Sequence, residues 1–129
     1  MRRTILVGLL LATVQSTPPA FAHWVAVGKT DQAVTYVEPT AVGTFGKLRE
    51  VWVLRDFESA QHEHGGPFRS SVGHYEVDCS QRQLRQVFHT THAGPMGGGG
   101  TVGAERVRQP FAPAVPGSSG DMITQAVCR

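Results

Sequence analysis

The chain has 129 residues, and its twelve Lys and Arg against ten Asp and Glu give a formal net charge of +2. This length suits one small domain rather than several. The sequence contains no basic run, which argues against nucleic acid or an anionic membrane surface as the main partner, because those interactions rest on many cationic contacts.

The first 22 residues are typical of a secretory signal peptide. Two arginines precede an apolar run from Ile5 to Val14, and Ala20-Phe21-Ala22 forms a small-x-small cleavage pattern. The run is too short to span a bilayer, which needs about twenty apolar residues. We therefore expect cleavage after Ala22 and a single domain over residues 23–129, periplasmic or secreted, without a membrane anchor. Loss of the two arginines leaves ten basic and ten acidic residues.

Short apolar runs alternate with turn residues along the mature chain, which favours an antiparallel sheet. Trp24–Gly28 and Ala33–Pro39 predict a first hairpin. Lys47–Phe57 predicts a central strand, because four consecutive apolar residues lie at its middle. Residues 59–68, SAQHEHGGPF, are expected to form a polar loop. The aromatic residues of these strands, Trp24, Trp52 and Phe57, are interpreted as core.

Three more segments are predicted as strands in the second half of the chain. Ser70–Cys79 alternates in polarity, and its cysteine is predicted to point inward. Leu84–His92 and Thr101–Phe111 are the other two. Residues 93–100, AGPMGGGG, are expected to be a flexible connection, because they match neither the P-loop nor the dinucleotide fingerprint.

The C-terminal residues change from the strand period to the helix period. Ser118 precedes Asp121 by three positions, as in a capping box. An apolar stripe at helical spacing follows, formed by Met122, Ile123, Ala126 and Val127. A helix of two to three turns is too weak to stand alone, so we expect it to dock on the sheet.

The two cysteines, Cys79 and Cys128, belong to an exported chain and are expected to form a disulfide. Closing a loop of about fifty residues would restrict the unfolded chain by roughly 4 kcal/mol. A redox or metal role is less favoured, because the sequence has no CxxC motif and no activating His or Lys beside either cysteine.

The segment HEHGG supplies the candidate metal ligands His62, Glu63 and His64. Two histidines and a carboxylate suit zinc, copper or nickel, so a periplasmic metal-binding protein is the alternative function. Adventitious affinity is the simpler interpretation, because a glycine-rich loop does not hold ligands in place. Glu76 and Asp78 share a strand face and are interpreted as solvated acids. No serine lies in a GxSxG elbow, so we expect no catalytic residues and no cofactor.

Four stretches in order resemble the bacterial surface-adhesin protein E family: YVEPTAVGTFGKLREVWVLRDF, YEVDCSQRQLR, AGPMGGG and FAPAVPGSSGDMITQAVC. The resemblance implies an α+β fold, a small twisted antiparallel sheet of about six strands with a C-terminal helix docked on it and tied by the disulfide. This agrees with the fold class predicted from the periodicity.

The resemblance also implies an exported, non-enzymatic binding module that adheres to host matrix or plasma proteins. The expected partner is a protein, bound through a sheet face or edge, and open edges would also support a homodimer. Two departures stand out. No cysteine follows the cleavage site to carry a lipid anchor, and Phe111 stands where many relatives carry tryptophan. No binding residue carries over from the family motif.

Overall fold

The computed structural model describes residues 23–63 and 65–129. The strands are β1 (Val25–Lys29), β2 (Ala33–Val37), β3 (Gly43–Phe45), β4 (Leu48–Glu63), β5 (Gly66–Asp78), β6 (Gln83–His92), β7 (Thr101–Arg106) and β8 (Ala112–Pro113). Helix α1 (Ser119–Val127) follows them. The predicted signal peptide, residues 1–22, lies outside the described residues.

The strands form one antiparallel sheet in the order β1-β2-β4-β5-β6-β7. This six-strand path confirms the predicted sheet. Two further strands bring the total within the described residues to eight, because β3 pairs with β4 and β8 pairs with β6. Sequence periodicity did not predict them, since β3 has three residues and β8 has two, too few to show an alternation.

One face of the sheet carries the hydrophobic core. Its buried side chains come from β2, β4, β5, β6 and α1, and they are Val37, Val51, Val53, Tyr75, Val77, Leu84, Ile123 and Val127. The helix begins where the Ser118 hydroxyl accepts a hydrogen bond from the Asp121 amide at 3.2 Å, as the capping pattern predicted. In the described part of the chain, no helix is both long and apolar enough to cross a membrane.

The prediction of a polar loop over residues 59–68 is wrong. Strand β4 continues through this segment to Glu63, and β5 begins at Gly66, so the two strands form one long hairpin arm. The arm turns at Gly65, whose φ of +104° favours glycine. A Cβ at Gly65 would lie 3.2 Å from the carbonyl oxygen of Val102, which brings the tip of the arm beside β7. The polar composition hides this strand because both of its faces are largely solvated.

The glycine-rich segment is also different from the flexible connection expected from the sequence. The Ala93 amide donates to the Gly100 carbonyl at 3.0 Å, and the Gly94 amide donates to the Gly98 carbonyl at 3.0 Å. These bonds close a compact loop, called here the glycine loop (residues 93–100). A Cβ at Gly97 would be 3.5 Å from Leu54, so the loop packs against the sheet face opposite the core.

Candidate binding surface

Three aromatic side chains lie side by side on the sheet face opposite the hydrophobic core. Trp52, His74 and Phe88 occupy adjacent positions on β4, β5 and β6. The Trp52 and His74 ring centroids are 4.7 Å apart, and those of Trp52 and Phe88 are 6.4 Å apart in an edge-on arrangement. All three are half-buried. We call this set the aromatic row.

The aromatic row corrects the assignment of Trp52 to the core. Its strand neighbours Val51 and Val53 point to the core face, so the period of two places Trp52 on the other face. The other two aromatic residues predicted as core, Trp24 and Phe57, are half-buried as well. The side chains that fill the core are mainly aliphatic residues of β4 and β5 together with the helix stripe.

A charged pair continues the same face beyond the aromatic row. Arg85 donates to the Glu76 carboxylate at 3.2 Å, and the two residues are cross-strand neighbours on β5 and β6. The Arg85 guanidinium also lies 4.3 Å from the ring centroid of Phe111, a cation–π distance. The ring of Phe111 therefore packs against Arg85 on this face. The surface thus combines aromatic rings with one arginine and one acid.

This composition suits binding rather than catalysis. Aromatic residues and arginine dominate the residues that contribute most to protein interfaces. Glu76 is held by Arg85, whereas Asp78 accepts from the amide and hydroxyl of Ser80 at 3.1 and 2.7 Å. The Ser80 hydroxyl, with the Gln81 amide, lowers the pKa of Asp78 and keeps it ionised as a turn acceptor. The two acids predicted as solvated thus make structural contacts.

Cys79 and Cys128 form the predicted disulfide, with their Cα atoms 5.5 Å apart. The bridge joins the residue after β5 to the C-cap of α1, across a sequence separation of 49. Both cysteines pack against the core cluster. The disulfide therefore belongs to the core side of the sheet, away from the aromatic row.

The candidate metal ligands lie at the tip of the hairpin arm. His62 and Glu63 are exposed consecutive residues of β4, so their side chains leave opposite faces of the strand. His64 lies outside the described residues. Within residues 23–63 and 65–129, no three His, Cys, Asp or Glu side chains are grouped to hold a metal ion. The metal-binding alternative gains no support here and stays a prediction.

Comparison with known proteins places this fold. The chain matches the family described as surface-adhesin protein E over residues 24–129. It is similar to the solved structure of Haemophilus influenzae protein E, with a TM-score of 0.63 and 12% identity, over 81% of this chain and 83% of that one. Protein E from non-typeable Haemophilus influenzae gives a TM-score of 0.62 at 12% identity, over 81% and 74% of the two chains.

No protein with a curated description matches the chain. At such low identity the two structural likenesses concern the fold, and they assign no residue a role. The family match is stronger evidence of kinship, because it extends from Trp24 to the last residue, Arg129. This chain therefore belongs to the surface-adhesin protein E family.

Proposed function

We propose that this protein is an exported, non-enzymatic binding module of the bacterial envelope, released over residues 23–129 by cleavage after Ala22. We also propose that helix α1 stays docked on the sheet in solution. It places the protein in the periplasm or outside the cell, with a protein partner such as a host extracellular-matrix protein. Family membership supports an adhesin-like role, and the surface chemistry supports a protein as the partner.

The aromatic row is the single observation that carries this proposal. Trp52, His74 and Phe88 present ring surface next to Arg85, and burying such a surface in a partner contributes favourable apolar and cation–π contacts. Each ring is already half-buried and packed beside another ring of the row, so association has less side-chain freedom to remove than for fully exposed rings.

The sheet edges offer a second mode of contact. β1 and β7 end the strand order, so each has one sheet neighbour among the described residues. An open edge can pair its free amides and carbonyls with a strand of a partner, or with the same edge of a second copy. We therefore include a homodimer in the proposal, formed by pairing of one of these edges.

Binding assays on immobilised residues 23–129 test the role of the row. A panel of purified extracellular-matrix proteins is measured against the wild type and Trp52→Ala. We expect Trp52→Ala to weaken a positive interaction by at least about tenfold, as truncation of a central aromatic anchor does. Val115→Ala is the matched control, because Val115 is a 58% exposed apolar residue outside the row. Equal losses in both variants, or no saturable binding of any panel protein, would contradict the proposal.

A further inference from the structure

A cleft of about 220 Å³ opens on the core-bearing face of the sheet, beyond the first turn of α1. Its floor includes a polar row across three adjacent strands. Arg55 of β4 is the neighbour of Ser71 on β5, and Ser71 is the neighbour of Thr91 on β6. The Arg55 guanidinium donates to the Ser119 hydroxyl at 2.7 Å, which marks the border between the helix and the cleft.

Glycine at position 73 creates the space beside this row. A Cβ at Gly73 would lie 2.4 Å from Nε2 of Gln86 and 2.9 Å from the ring of Tyr75. Both of these side chains line the cleft. The amide of Gln86 can therefore lie across the strand only because position 73 has no side chain, and it adds a donor and an acceptor to the cleft.

Two cleft residues carry polar atoms without partners. Among the described residues, Nε of Arg55 and Nδ1 of His89 are buried and make no hydrogen bond. Arg82 and Arg85 each pair with an acid at 3.0 and 3.2 Å, whereas no carboxylate of the described chain lies within ion-pair distance of Arg55. The charge of the half-buried Arg55 guanidinium is therefore not balanced by an acid of the described residues, and one of its nitrogens has no acceptor among them. Such a group favours an anionic acceptor, and a carboxylate matches its planar geometry.

The remaining wall is apolar. The rings of Phe57 and Phe68 stand edge to face with centroids 5.8 Å apart, and Phe68 is 5% exposed. Glu63 completes the lining as an exposed acid at the rim. A cavity of about 150 Å³ is known to hold benzene, so the cleft has room for a single ring or one amino-acid residue. The lining is therefore polar on its floor and aromatic on its wall.

We propose that this cleft binds a carboxylate attached to a compact apolar group. In this proposal Arg55 binds the carboxylate. The two hydroxyl residues of the row, Ser71 and Thr91, and the amide of Gln86 donate further hydrogen bonds. The rings of Phe57 and Phe68 contact the apolar group. The carboxylate can come from a free small acid or from the C-terminal residue of a peptide. This site is on the opposite face from the aromatic row, so it goes beyond the proposed function and does not depend on it.

Calorimetric titration of residues 23–129 tests the ligand chemistry. The probes are phenylacetate with phenylacetamide as its neutral match, and the peptide Gly-Gly-Gly-Phe with a free or amidated C-terminus. We expect saturable one-to-one binding of at least one acid, and at least about tenfold weaker binding of its amide. Preference for phenylacetate indicates a free acid, and preference for the peptide indicates a chain terminus. Failure of both acids to saturate, or equal binding of acid and amide, would overturn the proposal.

Substitution tests the anchor. Arg55→Gln should weaken acid binding by at least about tenfold, whereas Arg108→Gln removes the same charge at an exposed position and should leave the Kd unchanged. Should Arg55→Gln fail to fold, amide chemical shifts of the wild type replace it. The largest ligand-induced changes should then fall on Ser71, Gln86 and Thr91. Changes centred on the aromatic row, or equal Kd values for the wild type and a folded Arg55→Gln, refute the assignment.

Discussion

Ser70 and Gly97 join the sheet to the glycine loop through one buried hydroxyl. The Gly97 amide donates to Oγ of Ser70 at 2.8 Å, and the same oxygen donates to the Gly94 carbonyl at 2.7 Å. Ser70 is fully buried on β5, and its sequence separation from Gly97 is 27. The loop is therefore held in place by a side chain that lies far from it in sequence.

Ser70→Ala should lower the free energy of unfolding by roughly 1–3 kcal/mol, because it leaves the Gly97 amide and the Gly94 carbonyl without their partner. Urea denaturation measures the change. Ser59→Ala is the control, since Ser59 is exposed and an exposed substitution usually changes stability by less than about 0.5 kcal/mol. Equal stability of the two variants would show that water replaces the Ser70 hydroxyl.

Two glycines of the same loop should respond differently to alanine. Gly99 has a φ of +73°, and a Cβ there would lie 2.8 Å from the Gly94 amide nitrogen. We expect Gly99→Ala to destabilise the protein by roughly 1–3 kcal/mol through backbone strain and this contact. Gly100→Ala, where a Cβ meets nothing within 4 Å, should be close to neutral. Thermal unfolding of both variants compares them, and a neutral Gly99→Ala would indicate a loop free to change shape.

The sequence predicts those parts of the fold in which one face of a strand is buried. Tyr75 and Val77 alternate with polar residues, so β5 shows the strand period over its core half. The hairpin arm has no such contrast, because Ser59, Ala60 and His62 are exposed, and its end pairs with β5 only over residues 61–63. The conformation of the glycine loop also depends on the hydroxyl of Ser70, which lies far from the loop in sequence, so the loop's own residues do not predict it.

The two candidate sites illustrate the same limit. The aromatic character of Trp52 is evident in the sequence, but its neighbours His74 and Phe88 become neighbours through strand register, which the sequence does not give. The cleft requires Arg55 and Thr91 on one face of strands separated by β5, and it also requires a gap at Gly73. Neither set has a motif with fixed spacing, so periodicity alone could not assemble them.

Helix α1 contacts β1 through Gly28. A Cβ at Gly28 would lie 2.2 Å from Sδ of Met122 and 2.7 Å from its Cγ. Gly28→Ala should therefore overpack this contact and destabilise the fold by roughly 1–3 kcal/mol. Met122→Ala makes room for the added methyl group, so the double variant should lose less stability than the sum of the single variants by more than about 0.5 kcal/mol. Additive losses in urea denaturation would mean that the methionine moves aside freely.

The disulfide should contribute mainly to stability. Replacing both Cys79 and Cys128 by alanine removes a cross-link with a sequence separation of 49 and should lower the free energy of unfolding by about 4 kcal/mol. Urea denaturation of the oxidised wild type and the double variant measures this difference. The aromatic row contains neither cysteine, so a partner's Kd for the folded double variant should stay unchanged. A large loss of affinity in a folded double variant would contradict this separation of roles.

Glu38 should make the protein sensitive to acid. Its buried carboxylate accepts from the Thr40 hydroxyl, from the Thr40 amide at 2.9 Å and from the His23 amide at 3.2 Å. These bonds, the hydroxyl first, hold the pKa of Glu38 below its ordinary value of 4.5, although burial opposes them. A lowered folded pKa stabilises the fold above the unfolded pKa, and this stabilisation is lost as the pH falls through the folded pKa.

The acid limb of the stability curve tests this contact. Urea denaturation between about pH 3 and pH 7 should show a smaller loss of stability on acidification in Glu38→Gln than in the wild type. The variant should also be less stable at neutral pH, where the wild-type carboxylate is ionised and fully hydrogen-bonded. Parallel curves for the two proteins would show that Glu38 does not contribute to the acid sensitivity.

The predicted cleavage after Ala22 allows a second test of the Glu38 contact. Cleavage after Ala22 would make the His23 nitrogen, which donates to Glu38, a terminal ammonium group instead of an amide. The Glu38 carboxylate is already ionised, so the ammonium adds a charge–charge attraction to the existing hydrogen bond, and residues 23–129 should melt at a higher temperature than residues 22–129. In Glu38→Gln the two lengths should melt alike, because the acceptor charge is gone. If the two lengths still differ in melting temperature in Glu38→Gln, the difference does not come from the Glu38 contact. If the difference disappears, the position of cleavage contributes to the stability of the mature fold through Glu38.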